Sequence, residues 1–282
     1  MEEQNIDILE RIHAAYYQLT AAERRVADYV LAQHEQVQFM SITQLAEECG
    51  TAEATISRFC RSLQLKGFNA FKIELARHSV GTVQKPHEMP ADSIAARSLE
   101  IGRLAIDAVN QTVELVDSKQ IHKAVQIIEK APHVICMGTG GSMIMAHECS
   151  HMFSTVSGKF FAVYDSHMQM STAATMDRHD VIILFSYSGA TNNGLQILEL
   201  AKSRGIRTIL VTRFNKSPAA KLADVVLCCG SNEGPFQFGS VPAKIAQLVV
   251  VDVMFQEYCL RNREQCEENI QNIASALSGM HV

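Results

Sequence analysis

Residues 180–198 read DVIILFSYSGATNNGLQIL. An unbroken apolar run, Val181 to Phe185, leads into a turn rich in hydroxyls, Ser186, Ser188 and Thr191, and then into a stretch with helical spacing. A strand with no apolar–polar alternation is one buried on both faces, as in a parallel sheet covered by helices. The same texture recurs on either side, in HVICMG (133–138), KFFAVY (159–164), RTILVT (207–212) and DVVLCCG (224–230). Helix-length segments separate such runs, which predicts βαβ units and an α/β domain with a five-stranded parallel sheet, doubly wound and flanked by helices. A further helical stretch follows from Pro242 to about Leu277.

Two of the turns suit an anion. In HVICMGTGGSMIMAHE (133–148), Gly138, Gly140 and Gly141 let backbone N–H groups come close to a ligand, and Ser142 opens a helix whose N-terminus favours negative charge. In the opening stretch, Ser186, Ser188 and Thr191, with Gly189 in the bend, cluster at the start of another helix. Hydroxyls and helix-start N–H groups together bind the oxygens of a phosphate monoester without a lysine. Both turns follow strands at their carboxyl ends, where open α/β sheets hold ligands. Neither a complete G-x-G-x-x-G nor a G-K-[ST] is present, so no nucleotide cofactor is expected.

The first part of the chain, residues 1–77, reads as all-helical. Thr20 with Glu23 three residues on forms a capping box. In SITQLAEECGTAEATISRFCRSL (41–63), Gly50 ends one helix and Thr51 is placed to cap the next. Apolar positions at Leu45, Cys49, Ile56 and Phe59, with the small Ala46 before the turn, match a helix-turn-helix pair that crosses closely. On the second helix, spacing turns Glu53, Thr55, Ser57, Arg58 and Arg61 outward. From 51 to 80, five basic residues (Arg58, Arg61, Lys66, Lys72, Arg77) oppose two acidic ones (Glu53, Glu74), a local net of +3 in a chain of net −5. Such a basic stripe meets nucleic-acid phosphates. Gly81, Pro86 and Pro90 break the pattern in HSVGTVQKPHEMPA. The organisation expected is a DNA-binding head at 1–77, a linker at 78–91, and a ligand-binding domain with leading helices at 92–282.

ERRVADY (23–29), SITQLAEECG (41–50), EATISRFCRSL (53–63) and KGFNAFK (66–72) closely resemble the N-terminal domain of RpiR-type bacterial transcription regulators. From about 121 to 250 the chain resembles a SIS (sugar isomerase) domain, the module that follows the helix-turn-helix in that family. GTGGS (138–142), SYSGAT (186–191), AKSRG (201–205), SPAAKLAD (217–224) and GSVPAKIAQL (239–248) carry this second likeness. The resemblance implies that Thr51, Glu53, Ala54, Thr55 and Ser57 lie at the groove-facing start of the recognition helix, with Arg58, Arg61 and Lys66 reaching phosphates or base edges of a double-stranded DNA operator. It implies that Ser142, Ser186, Ser188 and Thr191, on the Gly140–Gly141 and Gly189 turns, hold a sugar phosphate. DSHMQ (165–169) adds Asp165, His167 and Gln169 to the pocket, whereas EGPFQFGS (233–240) departs from the family's commoner form, which often carries a basic residue before the Ser-Gly pair, and leaves Glu233 as either a ligand contact or a surface loop residue.

An aldose–ketose isomerase needs a base and an acid at the sugar. Glu233, His167 and Lys244 qualify by type alone, with no spacing that brings them together. Fusion to a helix-turn-helix argues for a sensor, not an enzyme: a DNA-binding regulator of sugar metabolism controlled by a phosphorylated sugar, acting as a homodimer or homotetramer; the alternative is a sugar-phosphate aldose–ketose isomerase with an appended helical domain. Eight cysteines without a C-x-x-C pair, several in apolar runs, suit reduced thiols in the cytoplasm, and no apolar run is long enough to span a membrane. HECSH (147–151) matches the zinc-protease pattern H-E-x-x-H. No Glu occurs between Glu148 and Glu199, and Ser154 occupies the Gly position of the longer motif, so no metal site is expected.

Overall fold

The computed structural model describes residues 7–82, 93–231 and 241–278. The chain divides into two units at Gly102. The first holds α1 (Ile8–Ala15), a 3-10 turn (Tyr16–Gln18), α2 (Ala21–Val37), α3 (Ile42–Glu48), α4 (Glu53–Ser62) and α5 (Phe68–Thr82). Its core is Ile12, Val26, Val30, Leu45, Ile56, Phe59, Phe71 and Leu75 with their neighbours. The rings of Phe59 and Phe71 meet edge to face at 5.5 Å. α5 reaches Thr82, into the stretch expected as linker from 78, because Gly81 alone costs a helix only about 1 kcal/mol. Residues 83–91 of that stretch lie outside the described residues, as does Glu233 with the rest of 232–240.

The capping box expected at Thr20–Glu23 is formed, and the structure adds a second at Ser41–Gln44. Glu23 does more than cap. It is buried, accepts from the Thr20 amide and hydroxyl, and takes a third bond from the Ser62 hydroxyl at 3.2 Å, tying the start of α2 to the end of α4. Burial pushes its carboxyl upward, but the bonds from Thr20 and Ser62 and the charge of Arg58 outweigh this and hold it below the usual range. A depressed carboxyl stabilises the fold above its ordinary titration range, and that contribution disappears as pH falls through the lowered value. Glu23→Ala is expected to cost about 1–2 kcal/mol near neutral pH. Calorimetry should find the gap between wild type and variant narrowing as pH falls below ~4.

The second unit holds most of α6 (Ile94–Leu115), then α7 (Ser118–Lys130), β1 (Val134–Gly138), α8 (Gly141–Ser154), β2 (Phe160–Ala162) and α9 (Ser166–Thr175). Next come β3 (Val181–Phe185), α10 (Asn192–Arg204), β4 (Arg207–Thr212), β5 (Val225–Cys228), α11 (Val241–Arg261) and α12 (Arg263–Leu277). The strands form one parallel sheet in the order β2-β1-β3-β4-β5. Successive strand residues feed opposite cores, as the pleat requires. Cys136, Ile183 and Val211 pack with α7, α8 and α11. Met137, Ile182 and Leu210 pack with α9 and α10.

The helical stretch expected from 242 to 277 breaks at Asn262, which has φ −118° and ψ 36°. Its side chain donates to the Tyr258 carbonyl and to Glu129, offering local bonds that compete with a continuing helix. Among the described residues no helix is long and apolar enough to cross a membrane.

Candidate functional site

β2 lies on one side of β1 and β3 on the other, so the chain reverses its direction of winding between β1 and β3. α8, which follows β1, covers one face, and α10, which follows β3, covers the other. A crevice opens at such a switch point beyond the carboxyl ends of the strands. Gly138 pairs with Phe185, which sets the two turns side by side. Two helix N-termini therefore flank one crevice, and each favours an anion.

Each turn is built by glycines that cannot be replaced freely. A Cβ on Gly138 would lie 2.8 Å from the Ser142 carbonyl oxygen, so only glycine lets α8 fold back this tightly. Gly140 caps α8 at φ 56° and ψ −130°. Gly189 sits at φ 59°, and a Cβ there would meet Ser217 Oγ at 2.1 Å.

The hydroxyls are arranged on this frame. Ser142 is half-buried in the first turn of α8. Ser186 is nearly enclosed, with its Oγ 3.4 Å from Thr191 Oγ1. Ser188 Oγ accepts from the Ala190 amide at 3.3 Å. Thr191 is the N-cap residue of α10, yet its hydroxyl makes no capping bond.

Lys244, on α11, joins this group. A Cβ built on Gly141 would lie 3.8 Å from Lys244 Cε, so the lysine stem passes beside the first glycine turn. No spacing in the sequence could place it there, because the approach depends on α11 packing against α8.

The DSHMQ residues behave differently from one another. Asp165 caps α9 through the Met168 amide at 2.9 Å. His167 is exposed in the first turn of α9. Gln169 does not line an open pocket. It is fully buried, its amide nitrogen donates to the Gly138 and Val163 carbonyls at 2.7 and 2.8 Å, and its oxygen accepts from Asn193 at 3.2 Å. With those bonds made, Gln169 braces the end of β1 against the start of α10 from beneath.

In the first unit, Gly50 adopts φ 58° and the Thr51 amide closes α3 by donating to the Ala46 carbonyl at 2.8 Å. Ala46 is buried where the two helices meet. Thr51 does not cap α4. The N-cap is Ala52, without a side-chain bond, and the Thr51 hydroxyl is enclosed without a partner. Glu53 accepts from Thr43 Oγ1 at 2.7 Å and so ties α4 to α3.

Thr55 does not face outward either. It is 5% exposed, because the buried stripe of α4 is Thr55, Ile56, Phe59 and Cys60, one residue wider than the apolar letters indicate. Its hydroxyl receives a bond from Arg58 at 3.3 Å. The outward ridge is Ala54, Ser57, Arg58 and Arg61, with Ser57 half-buried and the others exposed. Their i, i+3, i+4, i+7 spacing puts them on one face. Lys66 is exposed beyond the helix. Arg25 of α2 adds a cation at the turn by donating to the Gly50 carbonyl at 3.2 Å.

HECSH is part of α8. The His147 ring lies 5.0 Å from the Tyr164 ring, and His151 Nδ1 is 3.8 Å from Glu148. Among the described residues no three His, Cys, Asp or Glu side chains are grouped to hold a metal.

Family models match two parts of the chain: the helix-turn-helix domain of the rpiR family at residues 6–80 and the SIS domain at 127–256. An uncharacterised helix-turn-helix transcriptional regulator of Caldanaerobacter subterraneus subsp. tengcongensis is 30% identical over 96% of this chain and 97% of its own. The Escherichia coli transcriptional regulator HexR is 26% identical, over 96% of this chain and 94% of its own. The solved structure of the Vibrio vulnificus NanR protein complexed with ManNAc-6P superposes with a TM-score of 0.87 at 27% identity, covering 97% of this chain and 99% of that one.

Proposed function

The chain belongs to the rpiR family of helix-turn-helix regulators with a SIS domain, and from that membership we propose that it is a DNA-binding transcriptional regulator of sugar metabolism genes, controlled by a phosphorylated sugar. The head, 1–77, reads double-stranded DNA through Ala54, Ser57, Arg58 and Arg61, with Lys66 and Arg25 on flanking phosphates. A connecting segment, 78–91, joins it to the SIS unit, 92–282. The phosphate of the effector sits in the crevice between the two turns, taking bonds from the hydroxyls of Ser142, Ser188 and Thr191 and from helix-start amides. Ser186, nearly enclosed, supports Thr191 from behind. His167, exposed in the first turn of α9, contacts the sugar end in this reading.

The observation that carries this reading is the pair of hydroxyl-bearing helix starts side by side at the switch point, with Lys244 alongside. The lysine supplies the full positive charge that hydroxyls and amides lack. Lys244→Ala is expected to weaken sugar-phosphate affinity by about 1–3 kcal/mol while leaving affinity for the unphosphorylated sugar unchanged. Isothermal titration with both ligands checks this.

The protein binds rather than turns over its ligand, works in the cytoplasm where its DNA is, and acts as a homodimer or homotetramer, since helix-turn-helix proteins read paired half-sites. Support for binding over turnover comes from full-length relatives named as transcriptional regulators. The test is gel retardation of the chain's own upstream DNA at low salt, with a thermal-shift screen of sugar phosphates. One clear stabiliser is expected by mass action. Absence of retardation overturns the regulator, and interconversion of aldose and ketose phosphates at enzymatic rates overturns the sensor.

A further inference from the structure

At the other end of the sheet, where β3 and β4 begin, lies a second hollow of about 310 Å³. Its polar lining is Lys123, Gln126 and Lys130 from α7, Arg178 and His179 from the turn before β3, and Arg207 at the start of β4. None of its lining residues is acidic. In a chain of net −5, four permanent cations line this one hollow.

The carboxylates nearby are already engaged. Asp224 takes Arg207 at 2.7 Å together with the Thr208 amide and hydroxyl, and its backbone carbonyl accepts from Lys123 at 2.6 Å. Asp180 is buried, with His133 at 3.0 Å and the Asp177 amide at 2.8 Å. Asp177 accepts from the His179 amide at 2.9 Å. Lys130 sits in the last turn of α7, where a cation complements the helix carbonyls. Arg207 is held by Asp224, whereas Arg178 lies at no helix terminus and its neighbour Asp177 is bonded to the His179 amide.

We propose that this hollow is a second anion site, separate from the crevice at the switch point, and that it takes a compact, multiply charged phosphate-type ligand. The chemistry fits on two counts. An arginine fork matches the paired oxygens of a phosphoryl group, and lysines add point charge around it. The hollow is at the small end of ligand sites, about 300–1,000 Å³, which suits a pyrophosphate or a small phosphorylated metabolite rather than a dinucleotide. It needs nothing from the reading of the switch-point crevice, since no residue is shared.

The test uses the full chain, with pyrophosphate as the probe, in wild type, Lys130→Ala/Arg178→Ala and Ser188→Ala. Retardation of the upstream DNA by every variant checks that each is folded. Pyrophosphate is expected to raise the melting temperature of wild type and Ser188→Ala alike. Half-saturation in the double variant should be weaker by about tenfold or more, the loss of two charge-assisted contacts. A shift that vanishes in Ser188→Ala and survives in the double variant would place pyrophosphate in the switch-point crevice and overturn the proposal. So would a wild type that gives no saturable shift. If the double variant then lowers the salt dependence of DNA binding by about two phosphate equivalents, the cations serve backbone phosphates, and the free-anion site is again overturned.

Discussion

Arg58→Ala/Arg61→Ala is expected to abolish operator binding at physiological salt while leaving the response to sugar phosphate intact. Both arginines stand on the exposed ridge of α4 with Ala54 and Ser57. Removing an arginine that reads a base edge costs about 1–3 kcal/mol, and removing one that meets a phosphate lowers the slope of log K against log salt by about one. The double variant should therefore lose on the order of a hundredfold in affinity or more. Fluorescence anisotropy across a salt series separates the roles. A flatter salt slope marks phosphate contacts, and relaxed sequence preference marks base contacts. Thr55→Ser is the control, since Thr55 is buried and should leave sequence preference unchanged.

Ser188→Ala/Thr191→Ala is expected to give the converse, a protein that binds its operator but no longer responds to its effector. A hydrogen bond to a charged group contributes about 1.5–3 kcal/mol, so two hydroxyls account for a loss of roughly a hundredfold or more. The Thr191 hydroxyl makes no capping bond, so its removal should not unravel α10. Thermal shift with and without the effector reads the result directly: the stabilisation seen in wild type should disappear, with the unliganded melting temperature within a few degrees of wild type.

Much of this arrangement is legible in the sequence, for a physical reason. Strands buried on both faces must be continuously apolar, so Val134–Gly138 and Val181–Phe185 stand out without any knowledge of the fold. Gly50, Gly140 and Gly189 are legible because each occupies a backbone region that other residues avoid. What is hidden is what depends on packing. Thr55 is a polar letter within a helical stripe, and only the depth of the Phe59 and Cys60 contact buries it. Gln169 has the chemistry of a ligand contact, but its bonds to Gly138, Val163 and Asn193 use that chemistry internally. Lys244 reaches Gly141 across more than a hundred residues. α9, SHMQMSTAAT, carries no apolar stripe that marks it as a helix.

Control of DNA binding by a sugar phosphate requires that the switch-point crevice and the α4 ridge be coupled. The most direct measurement is the dissociation constant of the full-length protein for its operator, with and without saturating amounts of the sugar phosphate that stabilises it, in wild type and in Ser188→Ala/Thr191→Ala. The effector is expected to shift operator affinity by about 5–150-fold in wild type, a coupling of roughly 1–3 kcal/mol, and to leave the variant unmoved. An effector that stabilises the wild-type protein yet leaves its operator affinity unchanged would contradict this coupling.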